Sequence, residues 1–193
     1  MSKQRRAPGE LERVRQFVNT RAVGPFSDRI KDPAALAAWF EQQGLAPPGL
    51  RVTRADVAHA TELREALRTM LVAHNAAGGT APAGAPDDAR RALDAAAHRA
   101  RLRLRFTDDG GALLAPEAGG VNGALGRLLA TVHDSIAQGT WSRLKACREH
   151  ECEWAFYDHT KNRSGAWCSM EACGNRAKAR AFRERHAAAD SLS

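Results

Sequence analysis

Four cysteines stand in the last quarter of a 193-residue chain, at positions 147, 152, 168 and 173, and none precedes them. Their spacing is C-x4-C-x15-C-x4-C. Each close pair offers two thiolates from one tight piece of backbone, and the spacer carries the chain out and back. That arrangement closes a tetrahedral zinc site, because zinc has no d-electron preference of its own and accepts four thiolates. Cys147, Cys152, Cys168 and Cys173 are therefore the candidate ligands of one zinc ion. A closed set of four leaves no position for water, so the ion expected is structural rather than catalytic. Other readings stay open on spacing alone. The thiols could pair as disulfides or stay free, or a histidine could replace one ligand. His150 lies three residues after Cys147, and His159 lies inside the spacer. A cytosolic location disfavours disulfides.

The elements that must position these thiols are short. ECEWAFYD (151–158) suits a strand, HTKNRSG (159–165) is a polar turn, and Ala166-Trp167 leads back to Cys168. Together they predict a β-hairpin. Met170 to His186 lacks proline and is rich in alanine and arginine, which predicts a helix. Hairpin and ligand-bearing helix make a treble-clef-like zinc finger. Gly174, lacking a Cβ, would let the backbone approach the metal loop closely. On the helix Arg176, Arg180 and Arg183 fall at i, i+4 and i+7, a single stripe, and Lys178 and Arg185 form a second row. Lys161 and Arg163 stand in the hairpin turn. From 142 to 186 there are ten Lys or Arg against six Asp or Glu. Such a stripe suits phosphate contacts, which dominate nucleic-acid affinity. The candidate nucleic-acid-binding residues are thus Lys161, Arg163, Arg176, Lys178, Arg180 and Arg183. The competing use is a solvated helix face, with Arg176 neutralising the thiolates. Asn175 is expected to bond within the knuckle, with reading of an adenine edge as the alternative. Trp154, Phe156, Tyr157 and Trp167 either pack the hairpin or stack on unpaired RNA bases.

Ahead of the cysteines the chain reads mainly as helix. Leu11, Val14, Phe17 and Val18 share a helical face. Asp32-Pro33 opens a second helix carrying Leu36, Trp39 and Phe40, and Gly44 closes it. Thr53 caps a long helix to about Asn75, and GGTAPAGAP (78–86) is a loop by composition. A short helix follows over 87–99. RLRLRF (101–106) alternates, which predicts a half-buried strand. TDDGG turns, and ALLAP (112–116) returns as its partner. Val121 to Gln138 is a further helix, with Leu125, Leu128, Leu129, Val132 and Ile136 on one side. The row Arg101, Arg103, Arg105 is expected to be a solvated sheet face. His59, His74, His98 and His133 are isolated and read as surface or packing residues. No nucleophile elbow, phosphate-binding glycine loop or HExxH occurs, so no enzyme is expected.

The net charge is +7, which suits an anionic partner such as nucleic acid. Basic residues at the N-terminus precede no apolar segment, so no signal peptide is expected. No window approaches about 18 uninterrupted apolar residues, which argues against a membrane span. A cytoplasmic protein is expected.

From Cys168 to Arg185, CSMEACGNRAKARAFRER, the chain resembles the CGNR zinc-finger family of bacteria, named for the run that here is Cys173-Gly174-Asn175-Arg176. WAFYD (154–158) and WCSM (167–170) fit the same pattern. In that family the finger follows a domain called ABATE. FVNT (17–20) and the Trp39 helix ending in Gly44-Leu45 resemble its opening. The resemblance covers nearly the whole chain and is closest over 141–186. One departure is the knuckle, CREHEC, which carries His150 and two glutamates. The resemblance implies a transcription regulator whose finger binds DNA, with the four cysteines as zinc ligands.

The expected organisation is a mainly α, ABATE-like domain with a small β-hairpin over 1–138, a CGNR-type finger over 139–187 and a flexible tail over 188–193. DNA is favoured over RNA, with location at the nucleoid if DNA is bound. The N-terminal domain is left to homodimerisation or to sensing a small-molecule effector. An RNA-binding protein and a protein-interaction module with a purely structural zinc are the rivals.

Overall fold

A computed structural model describes residues 6–21, 28–76, 86–149 and 151–190, with side chains described to residue 183. The expected loop over 78–86, apart from Pro86, lies outside the described residues, as do His150 and the last three residues of the expected tail.

Six α-helices and two small antiparallel sheets appear among the described residues. The first three helices are α1 (Leu11–Val18), α2 (Pro33–Gln42) and α3 (Arg54–Ala76). Local chemistry sets their ends. The Asp32 carboxylate accepts the Ala35 amide at 2.9 Å ahead of Pro33, and α2 stops where Gly44 takes φ +64°. Thr53 and Asp56 form a reciprocal capping pair at the start of α3. The fourth helix, α4 (Asp87–Ala100), ends on Arg101 in a left-handed conformation, and β1 (Leu102–Phe106) follows. It pairs antiparallel with β2 (Ala112–Pro116), Leu104 opposite Leu114. Then come α5 (Gly120–Ala137), a 3-10 turn (Trp141–Arg143), β3 (Leu144–Ala146) and β4 (Ala155–Tyr157). The chain closes with a π turn (Met170–Gly174) and α6 (Asn175–Asp190). Helix therefore continues four residues past His186.

The apolar stripes of α1, α2, α3 and α5 meet in one core around Phe17, Trp39, Phe40, Leu67 and Leu128. The rings of Phe17 and Trp39 lie 5.3 Å apart. This core does not stop at residue 138. Trp141, Leu144, Ala146, Ala155 and Tyr157 belong to it, with β3 packed on α3 and β4 on α1. The finger's β3–β4 sheet is thus shared with the helical region.

Three local expectations change. Ile136 is 56% exposed rather than on the buried side of α5. Arg101 caps α4 instead of joining β1, so the basic row shrinks to Arg103 and Arg105. The strand β1 is not half-buried: Leu104 is 58% and Phe106 80% exposed. The reason is geometric, since β2 packs against α5 and β1 hangs outside it.

Candidate metal centre and its seat

The knuckle itself makes the first hairpin of the finger. The expected pairing of 151–158 with Ala166-Trp167 is replaced by β3 with β4, in the register Lys145 to Phe156. Residues 147–154 form the connection, closed by the Cys147 amide donating to the Trp154 carbonyl at 3.0 Å. The later segment joins through the backbone bond from Arg148 N–H to Ala166 O at 2.9 Å. The LKA strand was not legible as one, because three buried residues carry no alternation.

This connection places Cys147 and Cys152, and the π turn places Cys173. Ser169 starts that turn by accepting the Ala172 amide on its hydroxyl. Cys168 stands just before it. All four sulfurs lie within 4.8 Å of one another. Cys152 and Cys168 are 3.7 Å apart, and Cys168 and Cys173 are 3.6 Å apart. A tetrahedron with zinc–sulfur bonds of about 2.3 Å has edges of about 3.8 Å, so the spacing fits the ion. Bonds donated by Cys152 and Cys168 pull the Cys147 thiol down to about 2. The same contact with Cys147 pushes Cys152 up to about 12, and Cys168 is raised as well. Four sulfurs packed this closely favour a shared cation, which takes them as thiolates. Cys147 and Cys173 are buried, and Cys152 and Cys168 are half-buried. His159 is not in the cluster: its Nε2 meets the Arg6 carbonyl at 2.9 Å.

Gly174 is tight, but against side chains rather than the metal loop's backbone. A Cβ there would sit 2.8 Å from the Met170 sulfur and 3.4 Å from Trp167. Asn175, expected to bond within the knuckle, is exposed at the head of α6.

Two family models match this architecture. The one described as "Putative stress-induced transcription regulator", ABATE, matches residues 12–139, and the CGNR zinc finger matches residues 143–186. The chain belongs to the ABATE family. It carries a CGNR zinc finger, and the four-cysteine cluster is where one structural zinc ion fits. No curated protein matches it.

In this ABATE protein the motif segments of the two regions meet physically. Asn19 of FVNT brackets Ala155 of WAFYD: its amide group donates to the Ala155 carbonyl at 2.9 Å and its oxygen accepts the Ala155 N–H at 2.8 Å. Buried Arg68 of α3 donates to Glu153 O at 3.0 Å and to Val18 O at 2.6 Å. His74 meets Leu144 O at 2.7 Å, and Asn75 donates to Ala146 O. Thr20 accepts from buried Arg64, which also forks onto Asp28 at 2.7 and 2.8 Å. Sequence reasoning singled out FVNT without finding its partner, since nothing local ties residue 19 to residue 155.

Asp158, the last residue of WAFYD, is fully buried and organises the loop after β4. It accepts from Lys145 Nζ at 2.9 Å, the Gly165 amide at 2.7 Å, and the Thr160 amide and hydroxyl at 3.0 and 2.8 Å. Against the cost of burial, these bonds, led by Lys145, hold its carboxyl down at about 2. Gly165 is obligatory here because a Cβ would stand 2.6 Å from the Asp158 carboxylate.

The arginine stripe divides. Arg180 forks onto buried Glu149 at 3.0 and 3.2 Å, which gives one of the two knuckle glutamates a structural use. Arg176 donates to the Cys173 sulfur at 3.2 Å, and that bond holds it more firmly in its charged form. Arg163 is half-buried and donates to Ser142 at 3.2 Å. Lys161, Lys178 and Arg183 are exposed. The side chain of Arg185 lies outside the described ones. Of the aromatic residues, Phe156 and Tyr157 are buried, and Trp154 and Trp167 are half-buried.

Proposed function

We propose that this chain is a cytoplasmic, zinc-containing transcription regulator that binds duplex DNA through the outer face of α6. The observation that carries this reading is the division of that helix. Asn175, Lys178, Ala179, Phe182 and Arg183 are all exposed, at i, i+3, i+4, i+7 and i+8, while Arg180 turns back to Glu149 of the knuckle and Arg176, though exposed, is bonded to the Cys173 sulfur. A helix of this kind fits the major groove, with cations for phosphates and an amide for a base edge. The chain's net charge of +7 and the regulator family support the same partner. Lys178 and Arg183 are the principal phosphate contacts, with Lys161 on the loop as a further one. Arg163, Arg176 and Arg180 keep the finger's shape. Burial of Phe156 and Tyr157 argues against RNA bases stacking on them.

The test is fluorescence anisotropy of duplex DNA and of single-stranded RNA across a salt series. Duplex binding should weaken steeply with salt. Lys178→Ala with Arg183→Ala should weaken it further and lower the salt slope by about 1.8, since each phosphate contact contributes about 0.9. No duplex binding at low salt, or an unchanged slope in the double variant, overturns the reading. Preference for RNA or for a nuclease-insensitive protein partner would replace it.

A further inference from the structure

We infer that β1 is a docking edge for an extended protein segment that alternates acidic and apolar residues and adds to it as a third strand. Three features of β1 carry this. The first is the open edge. Thr107 N–H donates to Gly111 O at 2.9 Å and Glu117 N–H to Arg101 O at 3.3 Å. Antiparallel pairing alternates, so in this register Arg103 and Arg105 direct their backbone groups to β2. The N–H and C=O groups of Leu102, Leu104 and Phe106 therefore point away from it. The sheet has two strands, and among the described residues nothing pairs with that outer row. An unpaired row of this kind is a template for an added strand.

The second feature is the division of side chains. Leu102, Leu104 and Phe106 share one face with Ala112, Leu114 and Pro116, while Arg103 and Arg105 take the other. The apolar face is covered near Pro116, which lies against Gly126 of α5, and is bare toward Leu104 and Phe106. A strand laid along this edge meets apolar side chains opposite 102, 104 and 106, and arginine opposite 103 and 105. An alternating apolar and acidic segment satisfies both faces at once.

The third feature disfavours a second copy paired about Leu104, the centre of the strand. Two β1 strands paired antiparallel about Leu104 would set Arg103 opposite Arg105 of the other copy, and directly opposed like charges destabilise a sheet. Arg103 is partly answered within the chain, by Glu117 at 3.1 Å, but both groups are exposed, so the pair is weak. Asp108 and Asp109 stand at the turn, which confines the acidic positions of the partner to the Arg103 and Arg105 end.

The probe is a short capped peptide alternating valine and glutamate, added to the whole zinc-loaded protein. Exchange of the Leu104 and Phe106 amides should slow by about tenfold on binding. The same peptide with lysine for glutamate should leave them unchanged. Leu104→Pro removes an outward N–H and an exposed leucine side chain but keeps the ladder to β2, so it should weaken peptide binding by about tenfold while Arg105 stays protected. If that variant loses the hairpin, Arg103→Glu with Arg105→Glu takes its place, and preference must then invert to the lysine peptide. The inference fails if the amides stay unprotected, if both peptides bind alike, or if Leu104→Pro binds normally. It also fails if protection rises with protein concentration alone, which marks a second copy, or if duplex DNA protects the same amides.

Discussion

Replacing Asp158 by asparagine tests the polar heart of the finger. The substitution preserves shape but removes the charge that answers buried Lys145, whose ammonium also donates to the Arg163 and Gly165 carbonyls. Removing one partner of a buried pair costs about 3–5 kcal/mol, because the other charge remains buried and uncompensated. For a chain of this size each kcal/mol moves Tm by about 2–4 °C, so a fall of about 6–20 °C is expected. Thermal unfolding by circular dichroism, in excess zinc at neutral pH, measures it. Lys145→Met should cost a similar amount, and the double variant should recover part of the loss, giving a coupling energy of about 1–3 kcal/mol. The pH dependence follows the same contact. The Asp158 pKa lies at about 2 in the fold and near 3.8 when free. Its stabilisation is therefore complete above about pH 4 and is lost as pH falls through about 2. Asparagine at 158 should remove that acid-sensitive component. A Tm within about 2 °C of the parent, or single and double costs that simply add, would refute the claim that the pair holds the 158–165 loop.

Asn19→Ala should lower stability by about 1–3 kcal/mol, since it strands both backbone groups of buried Ala155; denaturant midpoints at constant slope report it. Arg180→Ala should loosen α6 and lower stability by leaving Glu149 buried without its fork, whereas Lys178→Ala should leave Tm unchanged; amide exchange along 175–183 separates the two. His74 gives a second pH signature. Burial, helped by the charge of Lys145 and opposed by the bond to Leu144 O, holds its pKa below the ordinary 6.5. Stability from neutral His74 is full above pH 6.5 and declines as pH falls below it, so Tm of the parent should drop more steeply between about pH 7 and 5 than that of His74→Gln.

The metal centre was legible because ligand chemistry is written in residue type and spacing, and four thiols at these intervals have few other uses. Helix ends were legible for the same reason: Asp32, Pro33, Gly44 and Thr53 act on backbone groups within a few residues. What escaped was set by distant partners. Nothing in CREHEC says that Glu149 will meet a residue 31 positions later, so Arg180 read as part of an outward stripe. Alternation in RLRLRF gave the strand and its two faces, but not that β2 would intervene between it and α5. The sequence points to the wrong hairpin in the finger because LKA is too short to show a period, and its burial comes from α3.

The shared core limits how this protein can be taken apart. The two family matches abut at residues 139 and 143, and a gene fusion would naturally be cut there. Such a cut severs little backbone but exposes two raw surfaces. One is the face of α1 and α3, with Asn19, Arg68 and His74 left reaching for absent carbonyls; the other is a hairpin of two three-residue strands whose Leu144, Ala146 and Ala155 have nothing to lie on. Grafting this finger onto a foreign protein therefore means carrying α1 and α3 with it as the socket in which it was cast.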